Sequence, residues 1–142
     1  TIRAYDDEIR DFIKKRIKDI ADAIGTAYRG KVNVTFGSGC PTLKNDGELS
    51  TKAEKYLKDV MGEEMIINTQ TIGTRSSRSG GSEDFSYISH RVPSLMLALA
   101  AGEPEKGFQY PQHHPKVMFD ETVLTIGATA FVVIATKWLE EN

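Results

Sequence analysis

Residues 1 to 38 carry the pattern that most limits what this chain can become. "TIRAY" alternates as a half-buried strand does, and "KVNVTF" sets Val32, Val34 and Phe36 against Asn33 and Thr35 with the same period. Between them Ile9, Phe12, Ile13, Ile17, Ile20, Ile24 and Ala27 recur at helical spacing and form one broad apolar stripe. Asp6 is placed to cap that helix, Asp7 and Glu8 put negative charge on its first turn, and Gly30 is placed to end it. A strand–helix–strand unit has too few strands to bury its own sheet face. Something else must complete it.

"GSGCPTLKNDG" follows as a turn-rich linker and the best internal boundary. Leu49, Ala53, Tyr56, Leu57, Val60 and Met61 then predict a second amphipathic helix that Gly62 ends, and "EMIIN" a short strand. "TQTIGTRSSRSGGS" is polar and reads as a surface loop. Ser82 is placed to cap a short helix with Glu83 and Asp84 in its first turn and Pro93 at its end. "SLMLALAA" has the continuous apolar character of a strand buried on both faces. A histidine–proline loop leads to Asp120, which can cap a helix running to about Leu139 that is apolar almost all round and so buried on more than one side. The order of elements predicts two α/β layers.

Composition removes several function classes. With 39% apolar and 27% charged residues in 142, a packed core is expected. A net charge of −2 with interspersed signs gives no basic footprint for nucleic acid. The single cysteine, Cys40, excludes an internal disulfide and suits a reducing compartment. No signal peptide is visible, and "VLTIGATAFVVIATKWL" is broken by threonines and a glycine, so no membrane span is expected. A cytoplasmic protein is the expectation. The chain opens "TIRAYDDEIR", without a methionine and directly in an expected strand, which suggests a piece of a longer protein.

The residues that invite chemistry lie in "YPQHHPKVMFDE". Neutral imidazole is the commonest metal-ligating side chain. His113 and His114 are adjacent, however, and neighbours in an extended loop point to opposite sides, so both do not reach one ion. A working site needs three or four ligands, or carboxylates bridging two ions. His90 and Cys40 are the only further soft donors, without zinc-finger spacing. Glu83 and Asp84 in "GGSEDF" read first as helix-start charges. Glu83 becomes functional only if its side chain turns toward a cleft. Arg75 and Arg78 beside "SRSGG" make a weak anion loop that lacks any phosphate-binding pattern. No G-x-S-x-G elbow supports a serine hydrolase.

Taken together, "TIRAYDDEIRDFIKKRIKDIADAI", "PTLKNDGEL", "GSEDFSY", "AAGEPEKG", "HHPKVMFDE" and "IGA" resemble the C-terminal part of dinuclear-metal amidohydrolases. That family comprises N-acyl-amino-acid amidohydrolases, auxin-conjugate hydrolases and aminobenzoyl-glutamate hydrolases, related to the aminoacylase and carboxypeptidase G metallopeptidases. The order and spacing of the motifs match over nearly the whole chain. The resemblance implies a mixed fold, α/β and α+β: residues 1–38 as the second half of a ferredoxin-like lid that also mediates dimerisation, and residues 41–142 as the C-terminal part of a zinc-peptidase-like α/β catalytic domain.

By position, His113 matches the family's C-terminal metal-ligand histidine, whereas His114 falls where relatives often carry serine and is not taken as a ligand. Glu83 lies in a motif near the active-site mouth, and Arg3 in a segment that faces substrate. The family carries methionine where Gly80 stands and an aromatic where Cys40 stands. Its other ligands and its general base belong upstream of residue 1, so this chain alone is expected to be inactive and to hold no metal of its own. The intact protein is expected to use two divalent ions, zinc or manganese, on N-acyl amino acids or similar amides, and to self-associate through residues 1–38. The alternative is a free-standing interaction or dimerisation module of the same fold, without catalysis.

Overall fold

The computed structural model describes residues 1–68 and 80–142. Arg75, Arg78 and most of the predicted polar loop lie outside the described residues. The chain divides into two compact units, one of Thr1–Asp46 with Thr69–Leu95 and one of Gly47–Asn68 with Met96–Asn142.

The first unit is organised by helix α1, Asp7–Ala27. Asp6 caps it as predicted: its backbone is extended, and its carboxylate accepts from the N–H groups of Glu8 at 2.8 Å and Ile9 at 3.1 Å. The other end differs in detail. The Arg29 N–H donates to the Thr26 carbonyl at 3.0 Å and the Gly30 N–H to the Gly25 carbonyl at 2.8 Å, a Schellman closure. In that motif the left-handed position belongs to Arg29, with φ 56°, and Gly30 comes one residue later. The chain then folds back so closely that a Cβ on buried Gly25 would lie 2.8 Å from Val32 Cγ2.

The predicted linker is tied down rather than loose. The Tyr87 hydroxyl donates to the Gly39 carbonyl at 2.6 Å, and Arg10 donates to the Cys40 carbonyl. Asp7 accepts the Thr42 N–H at 3.0 Å, and Asp46 N–H donates to the Ser94 carbonyl at 2.8 Å. The compact unit runs through this segment as far as Asp46. Its remaining helix is a single turn, α3, Ser86–Ser89.

The second unit is built on α2, Gly47–Met61, and α3's successor α4, Leu124–Glu141. Ala53, Tyr56 and Leu57 are the buried apolar residues of the described chain, and all lie on the predicted face of α2. Gly62 ends α2 with φ 94°, a backbone conformation that a side chain would resist. The Tyr56 hydroxyl donates to the Glu141 carboxylate, and Lys52 Nζ lies 3.8 Å from the same group, so the end of α4 is fastened to the middle of α2. That bond pushes the Tyr56 phenol up to about 12. Leu99 Cδ2 sits 3.1 Å from where a Cβ on Gly127 would be, so the segment before the histidine loop packs against α4 at that glycine.

Several expectations come out differently among the described residues. No strand forms among the described residues: 1–5, 31–36, 66–68 and 94–101 are not helical but join no ladder, and Glu63–Met65 is a 3-10 turn where "EMIIN" was expected to begin a strand. A strand exists only through its neighbour's hydrogen bonds, which sequence alternation does not supply. The described residues are thus mostly helical and do not of themselves display the expected α/β layering. Second, "SLMLALAA" is not buried on both faces, since Met96, Leu97 and Leu99 are each more than two-fifths exposed. Third, α4 has no buried residue; Phe131 is 74% exposed. Residues Glu121–Glu141 are in fact long and apolar enough to cross a membrane by length and composition alone, contrary to the reading of the sequence. The α1 stripe is likewise open, with Phe12 62% exposed.

The closure of α1 yields a prediction. A non-glycine residue pays roughly 1 kcal/mol to adopt left-handed backbone, so Arg29→Gly should stabilise the protein by about 0.5–1 kcal/mol, offset in part by unfolded-chain entropy. Urea unfolding of the two proteins reads this directly.

Candidate metal-binding loop

The loop that carries His113 is built from its neck. The Asp120 N–H donates to the Ala101 carbonyl at 2.9 Å and closes residues 101–120 into a loop with joined ends. Just inside, Glu103 and Phe108 form an antiparallel bridge, exchanging N–H to carbonyl bonds of 3.1 and 3.0 Å around the 3-10 turn Pro104–Lys106. That turn aims Lys106 back at the neck, where Nζ reaches Asp120 Oδ2 at 2.8 Å. Asp120 Oδ1 accepts the Thr122 N–H at 3.0 Å and its hydroxyl at 2.6 Å, which caps the 3-10 turn Glu121–Val123 that leads into α4. The expected cap is thus in place. The Lys106 ammonium foremost, then the Thr122 donors, hold the Asp120 carboxyl down at about 2, against an ordinary 3.8.

At the tip, the His114 N–H donates to the Pro111 carbonyl at 3.1 Å, and His113 takes φ 69°. His113 is exposed, and no hydrogen bond to its ring is found among the described residues. A histidine at positive φ is uncommon, although histidine tolerates the region better than most residues, and such strain gathers at functional sites. His114 is half-buried and engaged: its ring stacks on Tyr110 with centroids 4.3 Å apart and planes 8° from parallel, and its Nδ1 accepts the Lys116 N–H at 3.1 Å. One histidine is left open and its neighbour is occupied. No group of three or more His, Cys, Asp or Glu able to hold a metal occurs among the described residues. The loop therefore fits a metal as the donor of one imidazole, not as a complete site.

The other singled-out residues fall in the first unit. Arg3 donates to the Gly80 carbonyl, which brings it to the start of the GSEDF segment. Ser82 does not cap the short helix, whose N-cap is Phe85 without a side-chain cap bond; Glu83 lies just ahead of it, where Oε1 accepts the Phe85 N–H at 3.1 Å and the carbonyl accepts the Ser86 hydroxyl at 2.6 Å. The helix consequently begins later than predicted, at Ser86. His90 Nε2 lies 2.7 Å from the Thr42 carbonyl and 3.8 Å from Asp7 Oδ2. Both neighbours accept, so Nε2 carries the proton and is not a metal donor. Lys106 was missed in the sequence, where nothing in "GEPEKG" marks it as Asp120's partner.

No family model matches the chain, and no solved structure does. Curated relatives do, and they are hydrolases. An uncharacterised hydrolase of Sinorhizobium fredii is 29% identical over 87% of this chain and 29% of its own length. Thermostable carboxypeptidase 1 of Saccharolobus solfataricus is 29% identical over 97% of this chain and 33% of its own. N-acetyl-L-cysteine deacetylase of Bacillus subtilis is 28% identical over 100% of this chain and 30% of its own. Those named by activity are carboxypeptidases and deacetylases of N-acetylated amino acids, in keeping with the resemblance read from the motifs. The chain spans about a third of the length of these relatives.

The neck predicts an acid response. Because Asp120 ionises more readily folded than unfolded, its contribution is fully present above about pH 4 and is lost as the pH falls through about 2. Asp120→Asn should lower stability at neutral pH and flatten the fall in stability between those values, measured by denaturant unfolding at stepped pH.

Proposed function

We propose that this chain is part of a metal-dependent hydrolase that cleaves the amide bond of N-acyl amino acids or similar small amides, and that it is inactive alone. The carrying observation is that carboxypeptidases and N-acyl deacetylases align over nearly all of it while it covers about a third of them. This favours the catalytic reading over a free-standing module. Residues 1–38 would belong to the lid and dimerisation domain and residues 41–142 to the catalytic domain of a cytoplasmic enzyme, with no nucleic acid or membrane partner.

In the intact protein two divalent ions, zinc or manganese, would polarise the scissile carbonyl and activate water. This chain's contribution is His113, whose open ring would donate one nitrogen in its neutral form. The remaining ligands would come from the part of the relatives' length that this chain does not span. Arg3 has guanidinium donors beyond the one given to Gly80 and would meet the substrate carboxylate. Glu83 would take part in catalysis only through Oε2, because Oε1 serves the Phe85 N–H.

His113→Ala in the full-length protein should lose more than the about 10- to 100-fold in metal affinity that an outer partner is worth, and most of its turnover. Near-normal turnover at limiting metal would sink the assignment. The open stripe of α1 further supports self-association through residues 1–38. Sedimentation of this chain at increasing concentration should show a dimer or larger species, and a strictly monomeric boundary counts against it.

A further inference from the structure

We infer that Tyr87 and His90 are positioning residues that keep the Arg3 guanidinium at the start of the GSEDF segment; this rests on Arg3 meeting the substrate carboxylate, as proposed above. Arg3 sits in exposed, irregular backbone, and its guanidinium donates to the carbonyl of Gly80, which is equally irregular and exposed. A bond between two such segments gains little over the bonds each makes to water. What holds them together lies further along both. Two bridges run from the first turn of α1, through residues 39–42, to α3 and its C-cap. In one, Asp7 Oδ1 accepts the Thr42 N–H at 3.0 Å while the Thr42 carbonyl accepts from His90 Nε2 at 2.7 Å, so one residue is gripped from both sides. In the other, Arg10 donates to the Cys40 carbonyl and the Tyr87 hydroxyl to the Gly39 carbonyl at 2.6 Å.

The bridges act through chain length. Arg3 and Gly80 are 77 residues apart in sequence. With either bridge closed, the Arg3–Gly80 bond completes a loop of only about fourteen residues, because Asp7 and Arg10 closely follow Arg3 while Tyr87 and His90 closely follow Gly80. With both open, a backbone tie remains from the Asp46 N–H to the Ser94 carbonyl at 2.8 Å, and the loop grows to about 57 residues. Closure falls as about the 3/2 power of loop length, so losing both bridges disfavours the Arg3–Gly80 bond about eightfold, whereas losing one leaves a short loop intact. The two side chains from the α3 region are therefore redundant singly and needed jointly. Asp7 and Arg10 do not separate as cleanly, since they are themselves paired at 3.3 Å and a change at one disturbs the other.

The test uses the full-length protein with His90→Leu, Tyr87→Phe and the two combined. His90→Gln, whose amide can donate at the reach of Nε2, is the conservative variant, and Arg3→Ala is the reference. Spin labels on Thr1→Cys and Ser82→Cys, both exposed positions, report the separation of the two segments by pulsed electron resonance in a background without other cysteines. KM and kcat are measured with N-acetyl-L-methionine as the probe. Each single variant should keep a narrow distance distribution and a near-normal KM. The combined variant should broaden the distribution and raise KM up to about eightfold with little change in kcat. Tyr87→Phe with His90→Gln should restore both, and in the Arg3→Ala background the combined change should raise KM no further. The inference is overturned if the combined variant keeps the narrow distribution, or if it raises KM alike in the wild-type and Arg3→Ala backgrounds, as a general loss of stability would. If Arg3→Ala leaves KM unchanged, or the probe is not hydrolysed, the substrate role of Arg3 falls and takes this inference with it; the distances, read without substrate, tell the two failures apart.

Discussion

Asp120 is the residue on which the second unit depends. Its N–H closes the loop neck on Ala101, one carboxylate oxygen starts the path into α4, and the other draws in Lys106 from the far side of the loop. A charge-assisted bond is roughly twice as strong as a neutral one, and here it joins segments that share no other regular structure. The position of α4 and the shape of the histidine loop are consequently one variable. Displacing the helix start would open the neck.

The apolar surface has a second lesson. α1, the segment 94–101 and α4 all present large side chains to solvent, whereas the buried apolar core of the described residues is Ala53, Tyr56 and Leu57. Helices with such faces gain most of their stability from packing rather than from propensity. The relatives are about three times as long as this chain, and under the proposed function the additional sequence is what these faces meet. The same reasoning treats α4 as a core helix: its end is tied to α2 through Tyr56 and Glu141, a contact between parts of one unit.

What the sequence disclosed follows the range of the forces involved. Caps and helix periods are local, and Asp6, Gly62, Asp120 and the α2 face were legible because each depends on residues a few positions away. Strand pairing is not local, and alternation in "KVNVTF" states a preference without a partner. Smaller misreadings share a cause. Gly30 and Ser82 are the residue types one expects at a helix end and start, yet Arg29 takes the left-handed position and Phe85 the N-cap because the backbone register, invisible in composition, put them there. The candidate site was legible only by resemblance. A histidine pair does not say which ring is open; the stack on Tyr110 and the bond from Lys116 distinguish them, and both depend on a fold of the loop that no spacing rule encodes.

The segment from Gly39 to Asp46 shows how far tethering can override composition. Its glycine, proline and asparagine content is that of a flexible connector, but side chains from α1 and from the α3 region hold its carbonyls and amides at several points. A protease cuts backbone that has opened, and cleavage tracks how often a segment does so. Here that would mean breaking contacts to α1 and α3 together. The most linker-like stretch of the sequence is thus a tethered one, and cutting it requires those bonds to open first.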